Sequence, residues 1–91
     1  MKFSETFIKG NFVISLETKQ DERGFFIRNY CERQFADEGL NTKWVQTNSS
    51  INIKTGTLRG LHFQRNPSTE IKLIRCIKGS IWDVIVDLRV N

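Results

Sequence analysis

Short stretches of this chain alternate apolar and polar side chains, a period of two that is typical of β-strands with one buried face. The clearest stretch runs from Ile81 to Val90 and sets charged residues opposite an apolar face. That apolar face consists of Trp82, Val84, Val86 and Leu88. We expect it to be buried, either by a partner sheet of the same chain or by another subunit.

The same kind of pattern predicts further strands, which are rich in β-branched and aromatic residues. They cover Phe12 to Leu16, Gly24 to Tyr30, Trp44 to Ile53, Thr57 to Gln64 and Ile71 to Ile77. The polar run Glu17 to Arg23 is expected to end the first of them. Turns are predicted at 54–56 and 78–79, and a loop is predicted at 65–69, where polar residues surround the single proline.

One helix is predicted, over Cys31 to Leu40. Phe35 and Leu40 could pack inward from it, and Gly39 is placed to end it. Several short strands at regular spacing favour a sandwich or jelly roll over a βαβ arrangement. The sequence therefore predicts a mostly β fold with one short helix.

Composition indicates one domain over residues 1–91, because 38 % hydrophobic residues with seven Phe and two Trp can fill a core. The net charge of +4 comes from scattered cations, which argues against nucleic acid as a partner. Cys31 and Cys76 have no spaced partners, so reduced structural thiols are expected, and a single histidine argues against a metal. No signal peptide or membrane-length apolar run is visible, so no membrane partner and a cytoplasmic location are expected.

The only histidine, His62, lies in a segment that also holds Arg59 and is followed by Lys72. Imidazole can take and return a proton near neutral pH, and two cations nearby suit an anionic substrate or a developing oxyanion. On a regular strand Arg59 and His62 would face opposite ways. If both reach one ligand, the strand must bulge or twist near Gly60.

Five ordered blocks carry a family resemblance over nearly the whole chain. They are Asp21 to Phe26, Val45 to Ser49, Leu58 to Gln64, Lys72 to Arg75 and Asp83 to Arg89. Together they resemble the N-terminal half of the dTDP-4-dehydrorhamnose 3,5-epimerases, the sugar-nucleotide isomerases of the cupin superfamily. The resemblance implies a partial cupin-like jelly roll and a role in deoxysugar (rhamnose) biosynthesis that needs no cofactor.

The resemblance also implies roles for individual residues. The substrate would be a dTDP-linked 4-keto-6-deoxy sugar, with His62 as the base and Lys72 as the cation that stabilises the enolate. The implied substrate contacts are Arg23, Phe26, Gln46, Asn48 and Arg59, of which Arg59 would hold the diphosphate. Phe26 could stack on the base, although packing in the core is the better default for a strand aromatic. In the family the part around Arg23 reaches across a homodimer to the neighbouring subunit.

Several positions depart from the family pattern. Arg28 stands where the family usually has Glu, and Thr47 and Ser49 stand where it often has Asp and His. The family's general-acid tyrosine and its histidine-orienting aspartate belong to the C-terminal half and have no counterpart here. Tyr30 lies in the wrong part of the chain to take the tyrosine's role.

Three hypotheses about function therefore stand side by side. The chain is a sugar-nucleotide epimerase in short form; or a catalytically impaired module that binds a sugar nucleotide; or an oligomeric remnant without a ligand. The first two share Arg59, His62 and Lys72, so the sequence does not separate them.

Overall fold

The N-terminal part of the chain consists of two antiparallel β-hairpins followed by one short helix. In the computed structural model, which describes residues 1–90, the first hairpin pairs β1 (Lys2–Glu5) with β2 (Phe12–Ser15). Phe3 and Ile14 are register partners and are both half-buried, while their neighbours along each strand are exposed. The strand predicted over Phe12 to Leu16 is confirmed as β2, whereas β1 was not predicted.

The second hairpin pairs β3 (Thr18–Asp21) with β4 (Gly24–Ile27). Its turn is stabilised by Asp21, whose Oδ1 accepts a hydrogen bond from the backbone N–H of Arg23 at 2.8 Å. Gly24 follows with φ +132°, a conformation that favours glycine. The expectation that the polar run would only end the first strand was incomplete, because this local turn lets polar residues form a strand of their own.

The helix α1 (Glu32–Asp37) is shorter than predicted, but its packing residue is confirmed. Phe35 is 1 % exposed and meets the rings of Phe3 and Tyr30 edge-on, with centroid distances of 5.5 and 4.6 Å. Gly39, at φ +71°, donates its N–H to the carbonyl of Ala36 at 3.0 Å and ends the helix as expected. Phe35 is thus the centre of a small aromatic core.

The chain divides into two compact units, which are described separately. The first contains Met1–Thr42 together with the chain from Val84 onward. In it, Arg89 Nη2 donates to the carbonyl oxygen of Lys9 at 2.7 Å. The second unit is Lys43–Asp83, and its bends and turns fall at the predicted positions around Gly56, Pro67 and Gly79.

Four strand predictions were wrong for the chain in this structure. No strand forms among the described residues after the helix, which removes those predicted over Trp44 to Ile53, Thr57 to Gln64, Ile71 to Ile77 and Ile81 to Val90. A β-strand needs a paired neighbour for its backbone hydrogen bonds, and these segments have none. The expected burial of the Trp82 face within the chain is also not found, since Trp82 is 92 % exposed.

Strands and one short helix nevertheless account for the regular structure of the described residues, arranged as two small antiparallel sheets. The coarse prediction of β-strands with one short helix is confirmed at that level.

Candidate functional site

Five of the seven predicted site residues lie in the second unit and two in the first. The five are Gln46, Asn48, Arg59, His62 and Lys72, and all of them are exposed. Arg23 and Phe26 belong to the turn and second strand of the β3–β4 hairpin.

Arg59 is positioned by the preceding segment of the same unit. Its Nε donates to Oδ1 of Asn52 at 2.6 Å, and its Nη2 approaches the carbonyl oxygen of Ile51 at 3.5 Å. No carboxylate among the described residues forms an ion pair with it. The guanidinium therefore keeps uncompensated charge and free N–H donors, which suits a phosphate ligand.

His62 follows a backbone irregularity at Gly60, where φ is +98°. A Cβ at position 60 would lie 3.5 Å from the backbone nitrogen of His62 and 3.6 Å from its Nδ1, so the imidazole folds back beside the glycine. No strand forms at this position, so the expected bulge that would turn Arg59 and His62 toward one ligand stays a prediction. In the part of the chain that the structure describes, no carboxylate accepts a hydrogen bond from this imidazole.

Lys72 is paired with a neighbouring carboxylate. Its Nζ lies 3.3 Å from Oε1 of Glu70. The second oxygen of Glu70 accepts a hydrogen bond from the amide of Gln64 at 3.1 Å when that amide is oriented to donate. Any anion that binds Lys72 must compete with Glu70. Sequence reasoning missed this ion pair, although the two residues are only two positions apart.

Arg23 makes a similar local pair in the first unit. Its Nη2 lies 2.7 Å from Oδ2 of Asp21, and its Nε donates to the same oxygen at 3.2 Å. The side-chain hydrogen bonds from Arg23, followed by the bond from its backbone N–H, hold the pKa of Asp21 below its usual value. Other N–H groups of this exposed guanidinium stay available to a ligand.

Phe26 does not pack in the core. It is 63 % exposed and pairs with Lys19 across the hairpin, so the default interpretation of Phe26 as a core residue was wrong. No element packs over the face of the hairpin that carries Phe26. The small core is filled instead by Phe35 from the helix.

Two concavities of the first unit adjoin Phe26. One, of about 320 Å³, is lined by Met1, Glu17, Lys19, Phe26, Arg28 and Gln34. The other, of about 360 Å³, is lined by residues 19–21 and 23–26, including Arg23. The polar run Glu17 to Arg23 was expected only to end a strand; recognising the β3–β4 hairpin would have placed Lys19 opposite Phe26.

Among the described residues, three features of a site or a membrane protein are not found. Within the second unit, no hydrogen bond or ion pair joins Arg59, His62 and Lys72 to one another. Residues 1–90 contain no group of three or more potential metal ligands. No helix in that range is long and apolar enough to cross a membrane.

Comparison with known proteins identifies the family. A family model described as dTDP-4-dehydrorhamnose 3,5-epimerase matches residues 5–91. The chain therefore belongs to the dTDP-4-dehydrorhamnose 3,5-epimerase family. No solved structure gives a significant match to the chain.

Several curated relatives carry the same or a closely similar name. A dTDP-4-dehydrorhamnose 3,5-epimerase of Methanothermobacter thermautotrophicus is 44 % identical over 90 residues, which is 99 % of this chain and 48 % of the relative. One of Salmonella typhimurium is 45 % identical over 80 residues, covering 85 % of this chain and 43 % of the relative. A dTDP-4-dehydrorhamnose 3-epimerase of Streptomyces niveus is 36 % identical over 85 residues, covering 92 % of this chain and 41 % of the relative. The chain thus spans about half the length of these relatives or less.

Proposed function

We propose that this chain carries the base side of a sugar-nucleotide epimerase site, which acts without a cofactor on a dTDP-linked 4-keto-6-deoxy sugar. Membership of the family and the names of the relatives support this substrate class. The observation that carries the proposal is the exposed imidazole of His62, which folds back at Gly60 in a unit that also presents Arg59 with open N–H donors.

The proposed chemistry is a proton transfer next to the ketone. The protons on the carbons flanking a ketone are acidic because their loss gives an enolate. His62 would remove such a proton, and Lys72 would stabilise the negative charge that gathers on the enolate oxygen. Arg59, Gln46 and Asn48 would hold the nucleotide part, with Arg59 on the diphosphate.

Two features support a slow reaction in these 91 residues. Among residues 1–90 we assign no general acid to the opposite face, and loss of one acid–base partner costs roughly 10²–10⁴-fold in rate. His62 also has no carboxylate partner among the described residues to fix its tautomer. The alternative, a binding module that holds a sugar nucleotide without turning it over, shares the same residues.

The finer architecture belongs to this proposal as well. We propose one domain over residues 1–91 that forms part of a cupin-like jelly roll, as the N-terminal half of the family does. The exposed apolar segments after the helix support assembly into a homodimer, with Arg23 and Phe26 contributed to a neighbouring subunit. A cytoplasmic location fits a sugar-nucleotide substrate.

The test is proton exchange in deuterium oxide. The protein is incubated with dTDP-4-keto-6-deoxyglucose, and carbons 3 and 5 are followed by NMR. Slow deuterium uptake with little inverted sugar is expected, and His62→Ala should abolish the uptake. Lys54→Ala, at an exposed residue in the turn at 54–56 of the same unit, is a control that should leave it nearly unchanged.

Other outcomes would contradict the proposal in distinct ways. Tight binding of the sugar nucleotide without any deuterium uptake would favour the binding module. Efficient formation of the L-sugar would mean that a residue not identified here supplies the acid. Uptake that persists in His62→Ala would show that His62 is not the base.

A further inference from the structure

The carboxylate of Glu70 contacts both Lys72 and the segment that carries His62. Its Oε1 lies 3.3 Å from Nζ of Lys72. When the amide of Gln64 is oriented to donate, its nitrogen lies 3.1 Å from Oε2 of Glu70. Gln64 comes two positions after His62, and all four residues belong to the second unit. Glu70 therefore connects Lys72, through Gln64, to the segment of the proposed base.

The loop at 65–69 holds the same network from its other side. The amide nitrogen of Gln64 also donates to the carbonyl oxygen of Ser68 at 3.0 Å. The backbone N–H of Ser68 in turn donates to the carbonyl oxygen of Arg65 at 2.8 Å. Ion pairs in a network are better placed to contribute than isolated exposed pairs. The carboxylate of Glu70 is thus held by more than its contact with one lysine.

Lys72 is a side chain that needs such a partner. It is 46 % exposed, and a lysine ammonium sits on a flexible four-carbon stem. Among the described residues, no hydrogen bond or ion pair joins it to His62 or Arg59. The ammonium has three N–H donors, so a contact with Glu70 leaves others for the oxygen of a ketone. Because the ketone is neutral before the proton leaves, it does not have to displace Glu70 when the substrate binds.

We propose that Glu70 is a positioning residue, which holds the ammonium of Lys72 beside the segment of His62 so that both reach one substrate. This inference rests on the proposed function, in which Lys72 stabilises the enolate. The same carboxylate lowers the attraction of Lys72 for anionic groups. Loss of its charge should therefore slow the reaction without weakening the binding of the sugar nucleotide.

The first experiment measures the placement of Lys72 without any reaction of the substrate. An amine-reactive acyl ester labels the lysines of the full chain, and mass spectrometry follows the rate at each position. Glu70→Gln keeps the size of the side chain and an acceptor for Gln64, but removes the charge that attracts Lys72. Labelling of Lys72 should become roughly 2–5-fold faster in this variant, the range expected for an exposed ion pair. Labelling of the exposed Lys54 should not change.

Asp83→Asn is the matched control for Glu70→Gln. Glu70 and Asp83 are the side-chain carboxylates of the second unit. Asp83 is exposed and forms no ion pair within residues 1–90. Labelling of Lys72 should be unchanged in Asp83→Asn. Equal acceleration in the two variants would mean a general effect of charge and would overturn the proposal.

The second experiment measures deuterium uptake as a function of the concentration of dTDP-4-keto-6-deoxyglucose. In Glu70→Gln the rate at saturation should fall by roughly 5-fold or more, since a displacement of about 1 Å can cost as much as 10²-fold. The concentration for half-maximal uptake should stay constant or fall. Glu70→Asp keeps the carboxylate and should recover part of the lost rate. A merely structural role would instead lower the melting temperature and raise that concentration.

The two experiments separate failure of this proposal from failure of the proposed function. Unchanged labelling of Lys72 in Glu70→Gln would overturn the proposal. Faster labelling with an unchanged rate of uptake would also overturn it, because the reaction would not depend on where Glu70 holds Lys72. If the unchanged chain shows no uptake that depends on His62, the proposed function fails. The labelling result alone then supports or overturns the placement of Lys72 by Glu70.

Discussion

At the scale of single residues, the chain repeatedly pairs a cation with a carboxylate two positions before it. Asp21 with Arg23, Glu70 with Lys72 and Asp87 with Arg89 all follow this spacing. Such pairs fix a turn or an extended segment locally, and they also lower the charge that each cation offers to a ligand. Arg28 and Arg59 lack such a partner among residues 1–90, which makes them the stronger candidates for binding anions.

The Asp87–Arg89 pair predicts a measurable titration. Arg89 donates from Nε to Oδ1 at 2.9 Å and from Nη2 to Oδ2 at 3.0 Å. The side-chain hydrogen bonds from Arg89 lower the pKa of Asp87 from 3.8 to about 2. Because the folded-state pKa lies below the unfolded value, the stabilising contribution of this pair is present above about pH 3.8 and is lost as the pH falls through about 2.

The measurement is an NMR titration of the Asp87 carboxyl carbon. Its midpoint should lie near pH 2 and should move toward 3.8 in Arg89→Gln. Arg75→Gln, at an exposed arginine of the other unit, should not move it. A midpoint already near 3.8 in the unchanged protein would mean that the pair does not form in solution.

Gly60 is the residue whose backbone most directly affects the candidate site. At φ +98° any side chain is strained, although a Cβ at 3.5 Å from the His62 nitrogen would not clash. We expect Gly60→Ala to shift the backbone at this position toward negative φ. That shift would displace the imidazole of His62. If this strain of about 1–3 kcal/mol is relieved by displacing His62, the rate of deuterium uptake should fall by roughly 5–150-fold.

Gly56→Ala provides the matched control for Gly60→Ala. Gly56 has a similar positive φ of +81°, and a Cβ there would meet nothing within 4 Å. It should strain its turn without changing exchange at His62. Equal losses in the two variants would indicate general disturbance of the second unit instead of a positional role for Gly60.

At the scale of elements, the helix and the first hairpin are joined by the aromatic contacts of Phe35. Phe35 is the only fully buried side chain among the described residues, and it touches Phe3 from β1 and Tyr30 from the segment before the helix. The helix itself is too short to be stable alone, so its stability comes from this packing.

Replacing Phe35 by Ala should therefore destabilise the first unit strongly. Truncation of a buried Phe costs about 3–5 kcal/mol, and the edge-on contacts with two rings are lost as well. Loss of the cooperative thermal transition, followed by circular dichroism, is expected. Phe7→Ala is the control, since Phe7 is 99 % exposed and its removal should change stability by no more than about 0.5 kcal/mol. A normal transition in Phe35→Ala would contradict the central role of this residue.

The elements also explain what sequence reasoning could predict. Local signals succeeded, since Gly39 ends the helix and Phe35 packs inward. Strand predictions that depend on a pairing partner failed. Alternation in Ile81 to Val90 indicates that one face should be buried, but it does not indicate which segment forms the backbone hydrogen bonds with it. The same limit applies to the site, where residue types indicated anion binding but the contacts of Lys72 with Glu70 and of Arg59 with Asn52 depend on loop geometry.

At the scale of the whole molecule, the chain exposes far more surface than a typical monomer of its size. Its accessible surface is 9216 Å² for 10.6 kDa, whereas a compact monomer of that mass exposes about 5,500 Å². Most of the exposed large apolar side chains lie after the helix. The exposed large side chains there include Leu58, Phe63, Ile77, Trp82 and Leu88.

We expect this surface to drive self-association. Apolar patches of this extent are rarely left in contact with water, and unpaired extended segments can pair with those of another copy. Sedimentation velocity at micromolar concentrations should therefore show a discrete, concentration-dependent species heavier than 10.6 kDa. Trp82→Lys should shift the distribution toward the monomer, because a charge on this exposed apolar surface would have to be buried without a partner. Phe7→Lys, at an equally exposed aromatic outside that face, should leave the distribution unchanged. A single monomeric species in the unchanged protein would contradict the prediction, and would require that the segments after the helix cover their apolar side chains within one chain.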